Sequence, residues 1–452
     1  MKRGSRAASA IWIPVFGWAL YLIAFPAFGE EQALTAVVAR YFDQAFLVKS
    51  AEYHGFELNW FLIQTGLLLA ALGMIARGPL GVWNEKALKM TRGRPWLARA
   101  LILSTVYSGL ALMRLPFSII RYFHAQAYGL RNDSLISYLL DWCKGFLIVW
   151  VIVVVLGVII LGLFARFPRG WTLMATTATG ILATGYTLFA PAIVEPWFYE
   201  FRPLEDPVLE QRLLKLGRCA GLEVGEILVV DASRHSDSVN AYVTGIGTTA
   251  RIVLYDTLLQ KFNADEVAVV LAHEIGHRVG EHIRTRLGLG IFGLWIALAI
   301  ADRVFGHCVR VRLRGISSRR DPVLVVPGYA LYVVLTWMVL VPGNLLSRHM
   351  ETEADRVALE LSQDPDTFIQ TKVRIAHANL SEVLPPDWVE FTFHTHPSIA
   401  RRIRMAENDR NEPNPCEEKR LKNVLVCVRS LDLSTDPISH SKMTTASRIF
   451  CS

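Results

Sequence analysis

The chain has no closely paired cysteines: Cys143, Cys219, Cys308, Cys416, Cys427 and Cys451 lack both the spacing of a zinc knuckle and the density of a disulfide framework. Those two architectures are excluded, and the redox compartment stays open. Nor is there a basic face interleaved with aromatics, although the formal net charge is +7; Lys and Arg gather in short clusters beside apolar runs. Nucleic acid is therefore not the expected partner, and the clusters fit membrane topology. No internal repeat and no broken-helix pattern in corresponding halves is visible, which argues against a transporter. What the chain has in excess is apolar: 52% of its 452 residues are hydrophobic, with 12 Trp. A soluble protein of ordinary composition does not look like this.

A helix needs about 20 apolar residues to cross a bilayer's hydrocarbon core. Seven runs approach that length: 7–29, 58–76, 100–120, 145–165, 171–194, 287–309 and 322–347. The first follows Lys2, Arg3 and Arg6 but is too long for a signal peptide's apolar region, so a retained helix is expected. The sixth is the weakest, with Asp302 and Arg303 near its end. Between the fifth and sixth runs, 195–286 carries soluble patterning. Pro207–Gly221 has helical spacing, and Glu226–Asp231, Val239–Thr244 and Arg251–Tyr255 are short runs rich in strand formers. Asn263 followed by Glu266 is an N-cap signature, predicting a helix from Ala264 to about His282. A further helix is expected from about Leu346 to Leu361, and the polar end, 409–452, reads as a flexible tail. The organisation is then a five-helix membrane region (1–194), a small α/β catalytic unit of zincin type (195–286), two more spans (287–347), a second catalytic part (348–408) and the tail.

His273-Glu274-Ile275-Gly276-His277 lies on the helix predicted from Ala264. Residues four apart share a helical face, so both imidazoles can reach one ion while Glu274 stands beside the open position. This is the arrangement for metal-assisted peptide hydrolysis: zinc lowers the pKa of water, and Glu274 takes its proton and returns it to the departing amine. His282 and His307 have no such partner and read as surface or interfacial histidines. A catalytic zinc wants three protein ligands and an open position. No metzincin continuation follows His277, so the third ligand is sought on another helix, where Glu351 and Asp355 stand four apart. Taken alone that segment would be a solvated acidic face. Position decides otherwise, because two spans separate it from His277 and return the chain to the same side. Glu351 is then the expected ligand, and Asp355 the carboxylate that fixes an imidazole tautomer.

With these residues the chain resembles the integral-membrane zinc metalloproteases of the type I CAAX prenyl protease kind, distantly related to heat-shock membrane proteases. The resemblance rests on His273–His277, on Ser347-Arg348-x-x-Glu351-x-x-Ala354-Asp355, on Asn240-Ala241-Tyr242 before Arg251–Leu259, and on His396-Pro397 followed by Arg402. It implies a mainly α-helical multi-pass protein whose spans enclose a chamber, with one zinc per chain. It also implies that Asn240 engages substrate backbone and that His396 stabilises the oxyanion, with Arg402 a structural ion-pair former. Without the family, Asn240 reads as a turn residue and His396 as a loop histidine. Main-chain pairing of an extended peptide with the strand at 239–244 would suit the first role. Both ligand segments adjoin spans, so the expected substrates are membrane-associated, lipidated or unfolded segments of protein. The rival reading is a catalytically silent membrane scaffold or substrate-binding protein, against which the intact Glu274 weighs.

Basic residues choose an orientation. With the N-terminus inside, inner loops hold Lys2, Arg3, Arg6, six basic residues within 77–99, Arg166, Arg169 and six within 303–320; the opposite short loops hold Arg40, Lys49, Arg121, Arg131 and Lys144. By the positive-inside rule the catalytic segments then face the extracytoplasmic side, although eukaryotic prenyl proteases work on the cytosolic one. Cysteine probes in a cysteine-free background check this: an impermeant reagent should label 30–57 on intact cells and spare 78–98 and 310–321. Labelling of 78–98 would reverse the orientation.

Overall fold

The computed structural model describes residues 29–220, 225–244 and 251–411. The expected span at 7–29 lies outside the described residues but for Gly29, as does the expected tail beyond 411. Helices α1 (Gly29–Tyr41), α2 (Gln44–Arg77), α3 (Leu80–Met90), α4 (Pro95–Ala127), α5 (Leu135–Arg166) and α6 (Trp171–Ile193) come first. A small unit follows: β1 (Phe201–Pro203), α7 (Pro207–Cys219), β2 (Glu226–Val230), β3 (Ala241–Thr244), β4 (Arg251–Tyr255), α8 (Asp256–Lys261) and α9 (Ala264–Val279). Then come α10 (His282–Arg310), α11 (Val325–Ser362), α12 (Pro365–Asn379), α13 (Asp387–Phe393) and α14 (Ile399–Asn411).

Six of the described helices, α2, α4, α5, α6, α10 and α11, are long and apolar enough to cross a membrane. Their apolar side chains point outward: Leu147, Val151 and Val155, one stripe of α5, are all exposed. Water would not tolerate such a stripe, and lipid does. At one end of the bundle the basic loops are tied together, by Asn84 donating to Asp321 (3.3 Å), Arg99 to the Arg320 carbonyl (3.3 Å) and Arg319 to the Phe164 carbonyl (3.0 Å). From the other end, α10 (29 residues) leaves for these loops and α11 (38 residues) returns. At about 1.5 Å per residue these helices run roughly 40 and 60 Å, enough to cross the bilayer and, for α11, to continue beyond it.

Two expectations need correcting here. The seventh span and the helix expected from Leu346 are one continuous helix, α11, with Pro342 inside it. A proline removes one backbone hydrogen bond, which membrane helices tolerate, so it does not end the segment. The helix from Ala264 stops at Val279 rather than near His282, because Gly280 and Glu281 form an elbow in which Glu281 takes a left-handed conformation (φ 52°). Strand β1 was not foreseen, being only three residues long.

The sheet runs in the order β1-β2-β4-β3, with β2 and β4 parallel and the outer pairs antiparallel. Helix α9 starts in a full capping box, Asn263 accepting from Asp265 and Glu266 amides while Glu266 accepts from the Asn263 amide. Its buried face, Val267, Leu271 and Ile275, joins β4, α12 and α14 in the main core. The loop after α4 docks on this unit, with the Asn132 amide donating to the His235 carbonyl and Ser236 Oγ to that of Leu130.

Helix α9 crosses α11 at Gly276. A Cβ there would lie 2.7 Å from Cα and 2.9 Å from the carbonyl oxygen of Ala354. Backbone cannot yield as a side-chain tip can, so Gly276→Ala must push the helices apart. We expect it to cost about 1–3 kcal/mol, read from thermal unfolding in detergent. Gly288→Ala, in the open on α10, should leave stability unchanged or slightly raised.

Candidate metal centre

The crossing of α9 and α11 brings His273, His277 and Glu351 together, with one donor atom from each within 4.8 Å of the others. His273 Nε2 lies 3.3 Å from Glu351 Oε2, and His277 Nε2 3.3 Å from Glu351 Oε1. On its other side, His273 Nδ1 is 2.9 Å from Asp355 Oδ1, close although not well aligned as a hydrogen bond. A proton on Nδ1 serves that contact and leaves a lone pair on Nε2, aimed at a carboxylate oxygen. Acceptor facing acceptor in a buried gap is repulsive, and a cation between them makes both contacts favourable. Glu351 Oε2 is buried without a hydrogen-bond partner, as a metal-binding oxygen would be before its ion is added. Two imidazoles and one carboxylate around an open side suit a divalent metal of the zinc kind.

Asp355, fully buried, is gripped from three sides. Arg402 donates to both its oxygens at 2.6 Å, Lys372 Nζ lies 3.0 Å from Oδ1, and His273 is the third partner. A carboxylate so deep needs this much compensation. Burial, with Arg402 nearby, pushes the Lys372 ammonium down to about 8 although Asp355 favours its charge. Lys372 was missed in the sequence. Its signal was its position, since Phe368 and Ala376, four residues to either side, are both buried and make it the centre of the inward face of α12. Glu274, partly buried beside the two imidazoles, has its carboxyl pushed up by burial against the pull of His273 and His277.

His396 sits on the loop between α13 and α14, exposed, with Nε2 3.3 Å from Glu351 Oε2. The loop is held by Arg348, one turn before Glu351 on α11, which donates to the carbonyls of Glu390 (2.7 Å), His394 (2.5 Å) and Phe391 (3.1 Å). Asn240 is exposed just before β3, a strand paired on one side by β4. Its Oδ1 accepts from the Ala241 amide and its backbone carbonyl from the Tyr255 amide. His307 is on the surface, as expected. His282 is not: it is buried, with Nδ1 2.8 Å from His277 Nδ1 and Nε2 3.0 Å from Glu353. The elbow at Gly280 and Glu281 turns it back onto α9, which helical spacing alone does not foretell.

Known proteins match both halves of the chain. Residues 27–200 match the family model described as CAAX prenyl protease N-terminal, five membrane helices, and residues 203–410 match peptidase family M48. An uncharacterized metalloprotease, YhfN, of Bacillus subtilis (strain 168) is 29% identical over 79% of this chain and 83% of its own length. A CAAX prenyl protease 1 homolog of Arabidopsis thaliana is 26% identical over 78% of this chain and 80% of its own. The crystal structure of S. mikatae Ste24p superposes with a TM-score of 0.70 at 21% identity, over 82% of this chain and 90% of that one, which speaks for the fold. With His273, His277 and Glu351 gathered at the crossing of two helices and the two family models together matching 27–200 and 203–410, the chain belongs to the M48 membrane metalloproteases of the CAAX prenyl protease kind.

Proposed function

We propose that the chain is an endopeptidase in which His273, His277 and Glu351 hold one zinc, Glu274 is the general base and then acid, and His396 stabilises the oxyanion. The observation that carries it is the placement of His273 Nε2 and His277 Nε2, each 3.3 Å from an oxygen of Glu351. Bound zinc supplies a Lewis acid that lowers the pKa of water toward neutrality. The protein's own groups do the rest. Glu274 accepts the proton of the attacking water and returns it to the leaving nitrogen. Asp355, anchored by Arg402 and Lys372, keeps the His273 proton on Nδ1. His396, on a loop fastened by Arg348, offers a donor where negative charge develops. Asn240 and the free edge of β3 align an extended substrate backbone by main-chain hydrogen bonds.

The substrates we propose are membrane-associated, lipidated or unfolded segments, in keeping with relatives named CAAX prenyl proteases. Both helices bearing the triad continue into or directly precede membrane-crossing helices, so the site lies at the bilayer boundary. An apolar anchor favours partition to that depth. The catalytic side is extracytoplasmic in this reading, supported by the basic loops tied together at the far end of the bundle.

Elemental analysis separates ligand from base. Glu351→Ala should lose most of its zinc and His349→Ala none, while Glu274→Gln should keep its zinc and lose hydrolysis by at least about a hundredfold; full zinc in Glu351→Ala would sink the triad. For the substrate, one peptide sequence is offered bare, with a prenyl or acyl chain, and as the tail of a membrane protein, with Glu274→Gln as blank. The anchored forms should be cut faster, and equal rates would remove the membrane-substrate idea while sparing the chemistry.

A further inference from the structure

We propose that His282 and Glu353 are positioning residues for the metal site, forming a chain from Glu353 through His282 to His277 that holds His277 in its metal-binding tautomer. The inference rests on the metal reading above and adds two residues to it. His277 Nδ1 and His282 Nδ1 are 2.8 Å apart, so one of the two nitrogens must carry a proton and the other a lone pair. At the far side of the His282 ring, Nε2 is 3.0 Å from Glu353 Oε2. A carboxylate only accepts, so His282 Nε2 is the donor there. A neutral His282 then has its lone pair on Nδ1, and the shared hydrogen must belong to His277 Nδ1. That leaves the lone pair of His277 on Nε2, the atom 3.3 Å from Glu351 Oε1. The opposite assignment would put a proton on His277 Nε2, where a metal could not bind.

The backbone is shaped around this contact. Glu281 adopts φ 52°, a conformation unfavourable for a residue with a side chain, and it is this turn that swings His282 back toward α9. Gly280 leaves the space: a Cβ there would lie 2.3 Å from His282 Nε2 and within 2.9 Å of two ring carbons. The ring cannot simply move aside, since His277 and Glu353 hold it at its two nitrogens. His282 is also 3% exposed, which a surface histidine has no reason to be. The two ligating imidazoles thus have parallel supports from one helix, His273 directly from Asp355 and His277 through His282 from Glu353.

The test uses full-length protein in detergent, titrated with zinc against a competing chelator, with the unfolding temperature of the metal-free protein measured alongside. His282→Leu should weaken zinc binding by about 10- to 100-fold, the usual cost of removing a partner behind a ligand, while metal-free stability changes little. His282→Asn, whose Oδ1 replaces Nδ1 as acceptor, should recover most of the affinity. Wild-type affinity in His282→Leu overturns the proposal, and so does His282→Asn as weak as His282→Leu, since packing and not acceptance would then be at stake. Should His282→Leu not fold, Glu353→Leu decides at a half-exposed position: zinc weakened about tenfold supports the chain, and unchanged zinc overturns it. Wild-type protein that takes up no zinc is a separate outcome, which removes the metal reading and this chain with it.

Discussion

Everything in the site depends on how closely α9 can approach α11. The two imidazoles and Glu351 have side chains of fixed reach, so a metal can be shared only if the two helix backbones come into close contact. Gly276 permits it, lying against the backbone of Ala354, itself fully buried. The contact falls between the site residues on both helices: Gly276 adjoins His277 and follows His273 by three residues, while Ala354 follows Glu351 by three and precedes Asp355. A single crossing point therefore sets the spacing of the triad and also places Asp355 behind His273. Small residues serve the same end at helix contacts within membranes, where backbones must meet.

The same closeness creates an electrostatic problem. Glu351, Asp355, Lys372 and His273 are all buried, at 4%, 0%, 4% and 8% exposure. An unpaired charge so deep costs several kcal/mol, and this cluster is tolerable only because its members satisfy one another. Asp355 is neutralised by Arg402 and Lys372 from α14 and α12, two helices that otherwise contribute to the main apolar core. Core and site are in this way one construction. Glu351 Oε2, buried without a hydrogen bond, is the oxygen that faces His273 and His396.

How far the sequence discloses this follows from the range of each interaction. Local periodicity is legible: the four-residue spacing in His273–His277 and Glu351–Asp355, the Asn263–Glu266 cap, and the apolar runs now seen as helices α2, α4, α5, α6, α10 and α11. The meeting of Glu351 with His277 could be inferred from the even number of intervening spans, a topological argument. What stayed hidden depends on tertiary approach or on one backbone angle. Lys372 looks like a misplaced charge until Asp355 is set opposite it. Arg348 looks like a juxtamembrane basic residue until three carbonyls close around its guanidinium. His282 is turned inward by a single positive φ, which no hydrophobic pattern encodes. The continuity of α11 past Leu346 was hidden for another reason, since the change there from apolar to charged residues marks where the apolar run ends and not where the helix does.

Because α11 is unbroken, one continuous helix carries Glu351, Glu353 and Asp355 and also passes through the apolar bundle to the basic loops. Helix α10, which begins with His282, makes the same passage in the other direction. The candidate metal centre is thus assembled from the ends of two membrane helices and the soluble helix α9 that α10 follows. Any tilt or shift of α10 against α11 would move His282 relative to Glu353, and hence act on His277, while α9 stays fixed in its own core by Leu271 and Ile275. The closeness of the site to membrane-crossing helices is then a consequence of construction: His273, His277 and Glu351 cannot be moved away from those helices without lengthening the elements that hold them together.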